Sequence, residues 1–124
     1  MNTIAIIGAS TDRSKFGNKA VRAYVDRGWT VFPVHPSAGE IEGLRVYRSV
    51  SEVPQPLDRV SMYLPAERTL PLLDDIAAAD PEEFWLNPGS ESDELIEAAT
   101  HRGLNVVAAC SIVDIGASPA NYPT

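Results

Sequence analysis

The sequence predicts one α/β domain built on a doubly wound, mostly parallel sheet of five strands. Two observations predict this fold class. Five short apolar runs alternate with segments whose apolar residues recur at helical spacing, which is typical of parallel strands joined by crossover helices. The chain of 124 residues is 44% hydrophobic, so it can bury one core and is too short for two independently folded domains.

The first predicted unit is a strand, a loop, a helix and a second strand. Residues 4–7 form a continuous apolar run that ends at a glycine, as in a strand buried on both faces. From about Asn18 the apolar residues adopt helical spacing, and Gly28 follows as a C-cap. The second strand, at residues 30–34, ends before His35 and Pro36, because proline cannot continue a central ladder.

The rest of the chain continues the alternation of strand and helix. Residues 37–56 carry small turn residues, and we expect a loop that contains a short hairpin or extended piece. We expect residues 1–113 to form the domain and residues 114–124 to form a surface tail. The remaining predicted elements are a third strand at 60–64, a helix with its apolar stripe at 70–77, a fourth strand at 84–86, a helix at 93–101 and a fifth strand at 105–109.

The segments that follow the strands are the candidate ligand-binding segments. Ligands of doubly wound sheets bind outside the carboxyl ends of the strands, at the point where the strand order reverses. These segments are residues 8–19, 35–39, 64–67, 87–92 and 110–112.

The first loop has the features of a phosphate-binding loop. Gly8 at the strand end permits a tight turn, and the free N–H groups of the loop and the following helix N-terminus attract an anion. Ser10 and Thr11 add hydroxyl donors. An ordinary βα loop that needs Gly8 only for its turn is the simpler alternative, since many doubly wound folds bind nothing there.

The charge distribution favours a small anionic ligand over a nucleic acid. The formal net charge of −7 argues against nucleic-acid binding, which depends on clustered Lys and Arg. Residues 1–48 hold seven basic and four acidic residues, giving +3, whereas residues 49–124 hold three basic and thirteen acidic residues, giving −10. Arg13, Lys15 and Lys19 lie in the basic part, so we expect one phosphate-bearing ligand near the N-terminus.

Other classes of protein are disfavoured. No apolar run is long enough to cross a bilayer, and the start of the chain lacks the positive n-region of a signal peptide. With Cys110 as the single cysteine, neither a disulfide framework nor a thiolate metal cluster can form. We therefore expect a cytoplasmic protein with no membrane association and no metal site.

The motifs narrow the ligand but show no chemistry. Both the dinucleotide fingerprint GxGxxG and the Walker A motif are absent, and no carboxylate ends the second strand to bind the ribose of NAD. His35 at that strand end, with Lys15 and Lys19 across the first loop, suits an adenosine with a phosphorylated ribose, which leaves NADP or coenzyme A. We find no catalytic pair at recognisable spacing, so binding is expected rather than catalysis, and the question of an enzyme stays open.

Five segments then carry a resemblance to a known family. The chain resembles the small stand-alone CoA-binding proteins, whose Rossmann-like fold is similar to the N-terminal domain of the succinyl-CoA synthetase alpha subunit. The match covers about residues 2–112. The segments that carry it, in the same order, are IAIIGAS at 4–10, VHP at 34–36 with IEGLRVY at 41–47, YLPAE at 63–67, WLNPG at 85–89 and VVAAC at 106–110.

The resemblance implies a role for each candidate site residue. By resemblance, the first loop cradles the phosphates of coenzyme A or an acyl-CoA, and the end of the second strand flanks the adenosine 3′-phosphate. Arg13, Lys15 or Lys19 would substitute for a basic residue that the chain lacks directly after Pro36. Leu64 and Pro65 would pack on the adenine side, and residues 87–89 would line the pantetheine path. The implied cofactor-binding residues are Gly8, Ala9, Ser10, Thr11, Arg13, Lys15, Lys19, His35, Pro36, Leu64, Pro65, Asn87, Pro88 and Gly89.

The sequence departs from the family pattern at two places. Family members often carry a Lys or Arg directly after the proline of the second strand end, where this chain has Ser37 and Ala38. Many also have an Asp-Arg pair before the cysteine, where this chain has Ala108 and Ala109. The phosphohistidine of the synthetase lies outside this domain, so ligase activity is not expected of these residues.

The leading hypothesis is therefore a domain that binds coenzyme A or an acyl-CoA without catalytic residues of its own. An NADP-dependent or other nucleotide-using enzyme is the alternative with a measurable reaction. A protein-interaction module that has lost its ligand is the third reading, favoured by the missing basic residue after Pro36. A protein partner or a homodimer stays open.

Overall fold

A five-stranded, all-parallel sheet organises the molecule, which confirms the predicted fold class. The computed structural model describes residues 2–37 and 39–124, so Ala38 lies outside the described residues. The strands of this sheet are β1 (Thr3–Ile7), β2 (Thr30–Val34), β5 (Arg59–Met62), β6 (Glu83–Leu86) and β7 (Val106–Ala108). A separate hairpin, expected between residues 37 and 56, pairs β3 (Glu40–Ile41) with β4 (Leu44–Arg45).

The strand order is β2-β1-β5-β6-β7, so the order reverses beside β1. β2 pairs with one edge of β1 and β5 with the other, which opens a crevice above the carboxyl ends of these three strands. β2 lies at the edge of the sheet, and an edge strand tolerates Pro33 in its ladder.

Helices cover both faces of the sheet. They are α1 (Phe16–Asp26), α2 (Ala66–Thr69), α3 (Leu73–Ala79), α4 (Asp93–His101) and α5 (Ser111–Asp114). Ile4 and Ile6 of β1 pack under α1 and α5, whereas Ala5 and Ile7 pack under α3 and α4. The alternation along one strand places apolar side chains in two separate cores, as the continuous apolar run predicts.

Two strands are shorter than predicted because their partners end first. β5 stops at Met62 rather than at residue 64, since Met62 pairs with Ile7, the last residue of β1. Likewise β7 spans three residues, because its register matches residues 84–86 of β6 one to one. The predicted fourth strand and the helix at 93–101 are confirmed, with Glu83 added to the strand.

The helices depart from prediction at two points. α1 begins at Phe16 rather than at about Asn18, with the extended Lys15 as its N-cap. The helix expected around residues 70–77 is divided into α2, a 3-10 turn at Leu70–Leu72 and α3. Pro71 explains the division, because its ring has no N–H to donate and clashes with the carbonyl one turn earlier.

The last eleven residues pack along α1. Arg22 donates to the carbonyl oxygens of Tyr122 and Pro123 at 3.0 and 2.7 Å. Arg27 donates to the Gly116 carbonyl at 2.6 Å, and Asp26 accepts a hydrogen bond from the Tyr122 hydroxyl at 2.9 Å. Arg22 of α1 and Arg27, which caps its C-terminus, therefore bind the C-terminal segment, while a domain boundary after residue 113 stays a prediction.

Candidate functional site

A cavity of about 450 Å³ lies above the carboxyl ends of β1, β2 and β5, where the strand order reverses. Its volume falls in the range of small-molecule sites. Eight of the fourteen predicted site residues line it: Gly8, Ala9, Ser10, Lys15, His35, Pro36, Leu64 and Pro65. We refer to it below as the first cavity.

A second cavity, also of about 450 Å³, adjoins the first on the side of β6. Phe16, more than half exposed, lines it together with the predicted residues Pro88 and Gly89. The two cavities have five lining residues in common: Gly8, Lys15, Tyr63, Leu64 and Pro65. Lys15 is the one cation of this common wall, along which the two cavities adjoin. We refer to the two cavities together as the groove.

Gly8 is required by the geometry of the common wall. Its φ of +88° lies in the left-handed region, and a Cβ there would come within 3.0–3.1 Å of the Tyr63 backbone and the Leu64 side chain. A Cβ on Gly17 of α1 would in turn overlap the Gly8 carbonyl oxygen. Two glycines thus let the loop after β1, the turn after β5 and the start of α1 approach one another closely.

The first loop is held by hydrogen bonds of its own. The Asp12 carboxylate accepts from the Ser14 N–H at 3.0 Å and from the Ser14 hydroxyl at 2.6 Å, and these bonds lower the pKa of Asp12. The Asp12 N–H donates to the Ser10 hydroxyl oxygen at 3.0 Å. These hydrogen bonds constrain residues 10–14 of the loop, and Lys15 directly follows them.

Four predicted site residues lie outside the described linings of both cavities. Thr11 is exposed on the first loop, and Arg13 forms an ion pair with Glu42 at 3.4 Å. Lys19 lies over the Phe16 ring at 5.9 Å from its centroid, one turn along α1. Asn87, the fourth, is almost fully buried beneath the groove.

Asn87 is part of a buried hydrogen-bond network under the groove. Its side-chain nitrogen donates to the Ser61 hydroxyl and the Met62 carbonyl, both at 2.8 Å, and its oxygen accepts from the Ser111 N–H at 2.9 Å. The Tyr63 hydroxyl lies 3.3 Å from the Ser111 hydroxyl, and burial raises the pKa of Tyr63. The network fixes Tyr63, which lies in the common wall, to the ends of β6 and α5.

Sequence reasoning missed several residues of the first cavity. Arg48, Arg68 and Asp75 are the charged ones. Arg48 reaches the cavity because the preceding Tyr47 pairs alongside β2, where its N–H donates to the Pro33 carbonyl at 3.0 Å. In the sequence, the segment IEGLRVY at 41–47, which ends directly before Arg48, was the one indication that this region lies near the site. The uncharged residues missed are Ile7, Val34, Ser49, Val50, Tyr63 and Leu72.

Two features are absent from the described part of the chain. Among residues 2–37 and 39–124, no three or more His, Cys, Asp or Glu side chains are grouped so that they could hold a metal ion. In the same part of the chain, no helix has both the length and the apolar character needed to cross a membrane.

Similar structures share this fold. A conserved hypothetical protein from Pyrococcus furiosus superposes with a TM-score of 0.82 at 30% identity, covering 92% of this chain and 99% of its own. A protein from Thermus thermophilus gives a TM-score of 0.85 at 29% identity, covering 91% of this chain and 87% of its own. A dinucleotide-forming acetyl-coenzyme A synthetase from Ca. Korarchaeum cryptofilum gives 0.76 at 30% identity, over 87% of this chain and 25% of its own.

Sequence comparison gives relatives of two sizes. The uncharacterized protein YneT of Bacillus subtilis is 24% identical over 104 residues, which are 84% of this chain and 77% of YneT. An ADP-forming acetate–CoA ligase of Archaeoglobus fulgidus is 27% identical over 114 residues, but the matched part is only 17% of that enzyme. The model of the CoA binding domain family matches residues 2–116, nearly the whole chain. The chain therefore belongs to the CoA binding domain family.

Proposed function

We propose that the protein binds coenzyme A or an acyl-CoA in the groove formed by the two cavities. The adenosine lies in the first cavity and the pantetheine arm in the second. The observation that carries this proposal is the common wall, where Gly8 and Lys15 lie between the two cavities. A ligand with phosphates in its middle and an extended arm on either side matches that arrangement.

The pyrophosphate fits the common wall on chemical grounds. Lys15 supplies the positive charge in both linings, and Phe16 and Gly17 bring the first turn of α1, whose N–H groups favour an anion, to the second cavity. The adenine then meets the apolar part of the first cavity, where Leu64, Pro65 and Leu72 lie. This placement agrees with the roles that the resemblance implies for the first loop and for Leu64 and Pro65.

The second cavity suits the thiol end of the ligand. Beyond the common wall, its lining residues carry no charge: Ser14, Phe16, Gly17, Pro88, Gly89 and Ser90. Its described lining contains no histidine, cysteine, aspartate or glutamate that could serve as a base beside a nucleophile. We therefore propose a domain that holds the coenzyme, and that any acyl chemistry on the thiol is performed by another protein.

The larger relatives give this proposal a context. The chain spans 17% of the Archaeoglobus acetate–CoA ligase, so that enzyme's activity depends on a polypeptide much longer than the part matched here. The present chain corresponds to the part matched by the CoA binding domain model. A cytoplasmic location and a protein partner stay predictions.

Titration calorimetry with CoA, dephospho-CoA and NADP tests the proposal. We expect saturable binding of CoA and much weaker binding of NADP. If none of the three binds at millimolar concentration, the proposal is refuted and a protein-interaction module becomes the better reading. Tighter binding of NADP than of CoA would favour the nucleotide-dependent enzyme.

A matched pair of lysine variants tests the position of the pyrophosphate. Lys15→Ala should weaken CoA binding about tenfold or more, because one charge-assisted hydrogen bond contributes about 1.5–3 kcal/mol. Lys19→Ala removes the same charge one turn along α1, outside both described linings, and should change the dissociation constant less than about twofold. Equal effects of the two variants would show that Lys15 acts only through the general field.

A further inference from the structure

The first cavity contains basic residues that the family pattern does not explain. Where many family members carry a Lys or Arg after the proline that ends the second strand, this chain has Ser37 and Ala38. If the cavity holds a ribose phosphate, its charge must be matched by other residues. This question rests on the proposed function, since it concerns the adenosine end of the same ligand.

Most arginines of the described chain already have a partner that accounts for them. Carboxylates, aromatic rings or backbone carbonyl groups bind their guanidinium groups. The partners are Glu42 for Arg13, the C-terminal carbonyls for Arg22 and Arg27, the Tyr47 ring for Arg45, Glu83 and Asp114 for Arg59, and Asp74 for Arg102. Within residues 2–37 and 39–124, Arg48 and Arg68 make no salt bridge.

Both remaining arginines line the first cavity, and they come from opposite sides of it. Arg48 belongs to the segment beside β2, and Arg68 lies on α2, which follows β5. β2 and β5 pair with opposite edges of β1, so the two arginines join the lining of the cavity from the two sides of β1. A guanidinium presents parallel N–H donors in a geometry that matches phosphate oxygens.

Backbone hydrogen bonds hold the segments that carry the two arginines. Tyr47, directly before Arg48, donates to the Pro33 carbonyl and accepts from the His35 N–H, both at 3.0 Å. The Arg68 N–H donates to the Pro65 carbonyl at 2.9 Å in the single turn of α2. Asp75 is the one carboxylate in the described lining, so Lys15, Arg48 and Arg68 leave the cavity a net charge of +2.

We propose that Arg48 and Arg68 bind the 3′-phosphate of the coenzyme's ribose and so determine the preference for CoA over dephospho-CoA. The positive charge that the resemblance leads us to expect directly after Pro36 is supplied instead by Arg48, which follows the hairpin, and by Arg68 of α2. Lys15 then serves the pyrophosphate, and Lys19 serves neither phosphate.

Titration calorimetry of CoA and dephospho-CoA against four proteins tests this assignment: the wild type, Arg48→Ala, Arg68→Ala and the double variant. We expect the wild type to prefer CoA about a hundredfold, and each single variant to weaken CoA binding about tenfold. Dephospho-CoA should bind all four proteins within about twofold, since it lacks the group that the arginines contact. In the double variant the preference should approach unity.

Lys19→Ala is the matched control, because it removes one charge near the first loop from outside the described linings. Arg48→Lys keeps the positive charge but removes the parallel N–H donors of the guanidinium. This variant should therefore retain only part of the preference for CoA over dephospho-CoA. Both arginines are exposed, so the alanine variants should keep the wild-type melting temperature.

Three results would overturn the assignment. Equal affinity of the wild type for CoA and dephospho-CoA would show that Arg48 and Arg68 do not bind the 3′-phosphate. It would leave the proposed function intact. An unchanged preference in the double variant, or a loss of preference in Lys19→Ala, would place the 3′-phosphate elsewhere. If neither coenzyme binds the wild type, the assignment of the two arginines and the proposed function are both refuted.

Discussion

Replacing Gly17 by alanine tests whether the close approach of α1 to β1 sets the position of the first loop. A Cβ at residue 17 would overlap the Gly8 carbonyl oxygen and lie 3.3 Å from the Ala9 Cα. Because both of these atoms belong to the backbone, rotation of a side chain cannot relieve the overlap. α1 must therefore move away from the carboxyl end of β1, and Lys15 at its N-cap must move with it.

The size of the effect follows from two opposing contributions. Overpacking a well-packed interior costs about 1–3 kcal/mol, and a backbone overlap belongs at the upper end of that range. Alanine instead of glycine inside a helix returns about 1 kcal/mol. We expect a net loss of about 2 kcal/mol in the free energy of unfolding, which lowers the melting temperature of a domain of this size by about 8 °C.

Urea and thermal unfolding measure this loss, and calorimetry measures CoA binding by the same variant. Gly39→Ala is the control, since a Cβ there meets open space, and it should change the free energy of unfolding by less than about 1 kcal/mol. CoA should bind Gly17→Ala more weakly, because Gly8 and Lys15 no longer lie in register. If Gly17→Ala unfolds and binds like the control, the close approach does not position the loop.

Three further variants probe other parts of the site. Asn87→Leu should cost about 2–4 kcal/mol in urea unfolding, because the buried Ser111 N–H loses its acceptor and the Ser61 hydroxyl loses one of its two partners; a cost below that of a surface change would contradict the network. Asp75→Asn should tighten CoA binding about two- to threefold at low salt and less at high salt, as calorimetry at two ionic strengths would show. The lowered pKa of Asp12 makes its stabilisation present above its unfolded pKa, near 3.8, and lost as the pH falls through the folded value. The difference in melting temperature between wild type and Asp12→Asn should therefore be constant above about pH 5 and shrink toward pH 2, and a difference that grows instead would contradict it.

The fold was predictable because local patterns and global topology agree. The apolar run of β1 is buried on both faces, and the glycine after it has the positive φ that a tight turn requires. Strand ends were less predictable, since β5 and β7 end where their neighbours end, and a single strand contains no record of its partner's length. Pro71 could have signalled the break between α2 and α3, but the continuous leucine stripe obscured it.

The candidate site was predictable where its residues lie in the connections that leave the carboxyl ends of strands. Gly8 and His35 directly follow β1 and β2, and Lys15 and Pro65 lie further along the connections after β1 and β5. The parallel sheet brings all these connections to one edge. Arg48 could not be found this way, because its position depends on the pairing of Tyr47 with the far edge of β2.

Asn87, in contrast to Arg48, was predicted to line the site but is buried beneath it. It also follows a strand, but its side chain turns inward to satisfy the Ser111 backbone, which the sequence around residue 87 does not specify. A strand-end position therefore predicts proximity to the groove, and the direction of a polar side chain depends on the neighbouring element.

The distribution of charge around the groove explains how an acidic protein can bind an anion. The cations that lie in the groove come from three separate connections of the sheet: Lys15 after β1, Arg48 near β2 and Arg68 after β5. Other basic residues of the N-terminal part lie outside both described linings, where Arg13 binds a carboxylate, Lys19 an aromatic ring, and Arg22 and Arg27 the C-terminal carbonyls. A phosphorylated ligand in the groove would therefore join the two halves of the sheet at the point where the strand order reverses. Binding should then stabilise both the short α2 and the segment that contains Arg48, although these two parts of the chain pack little against each other.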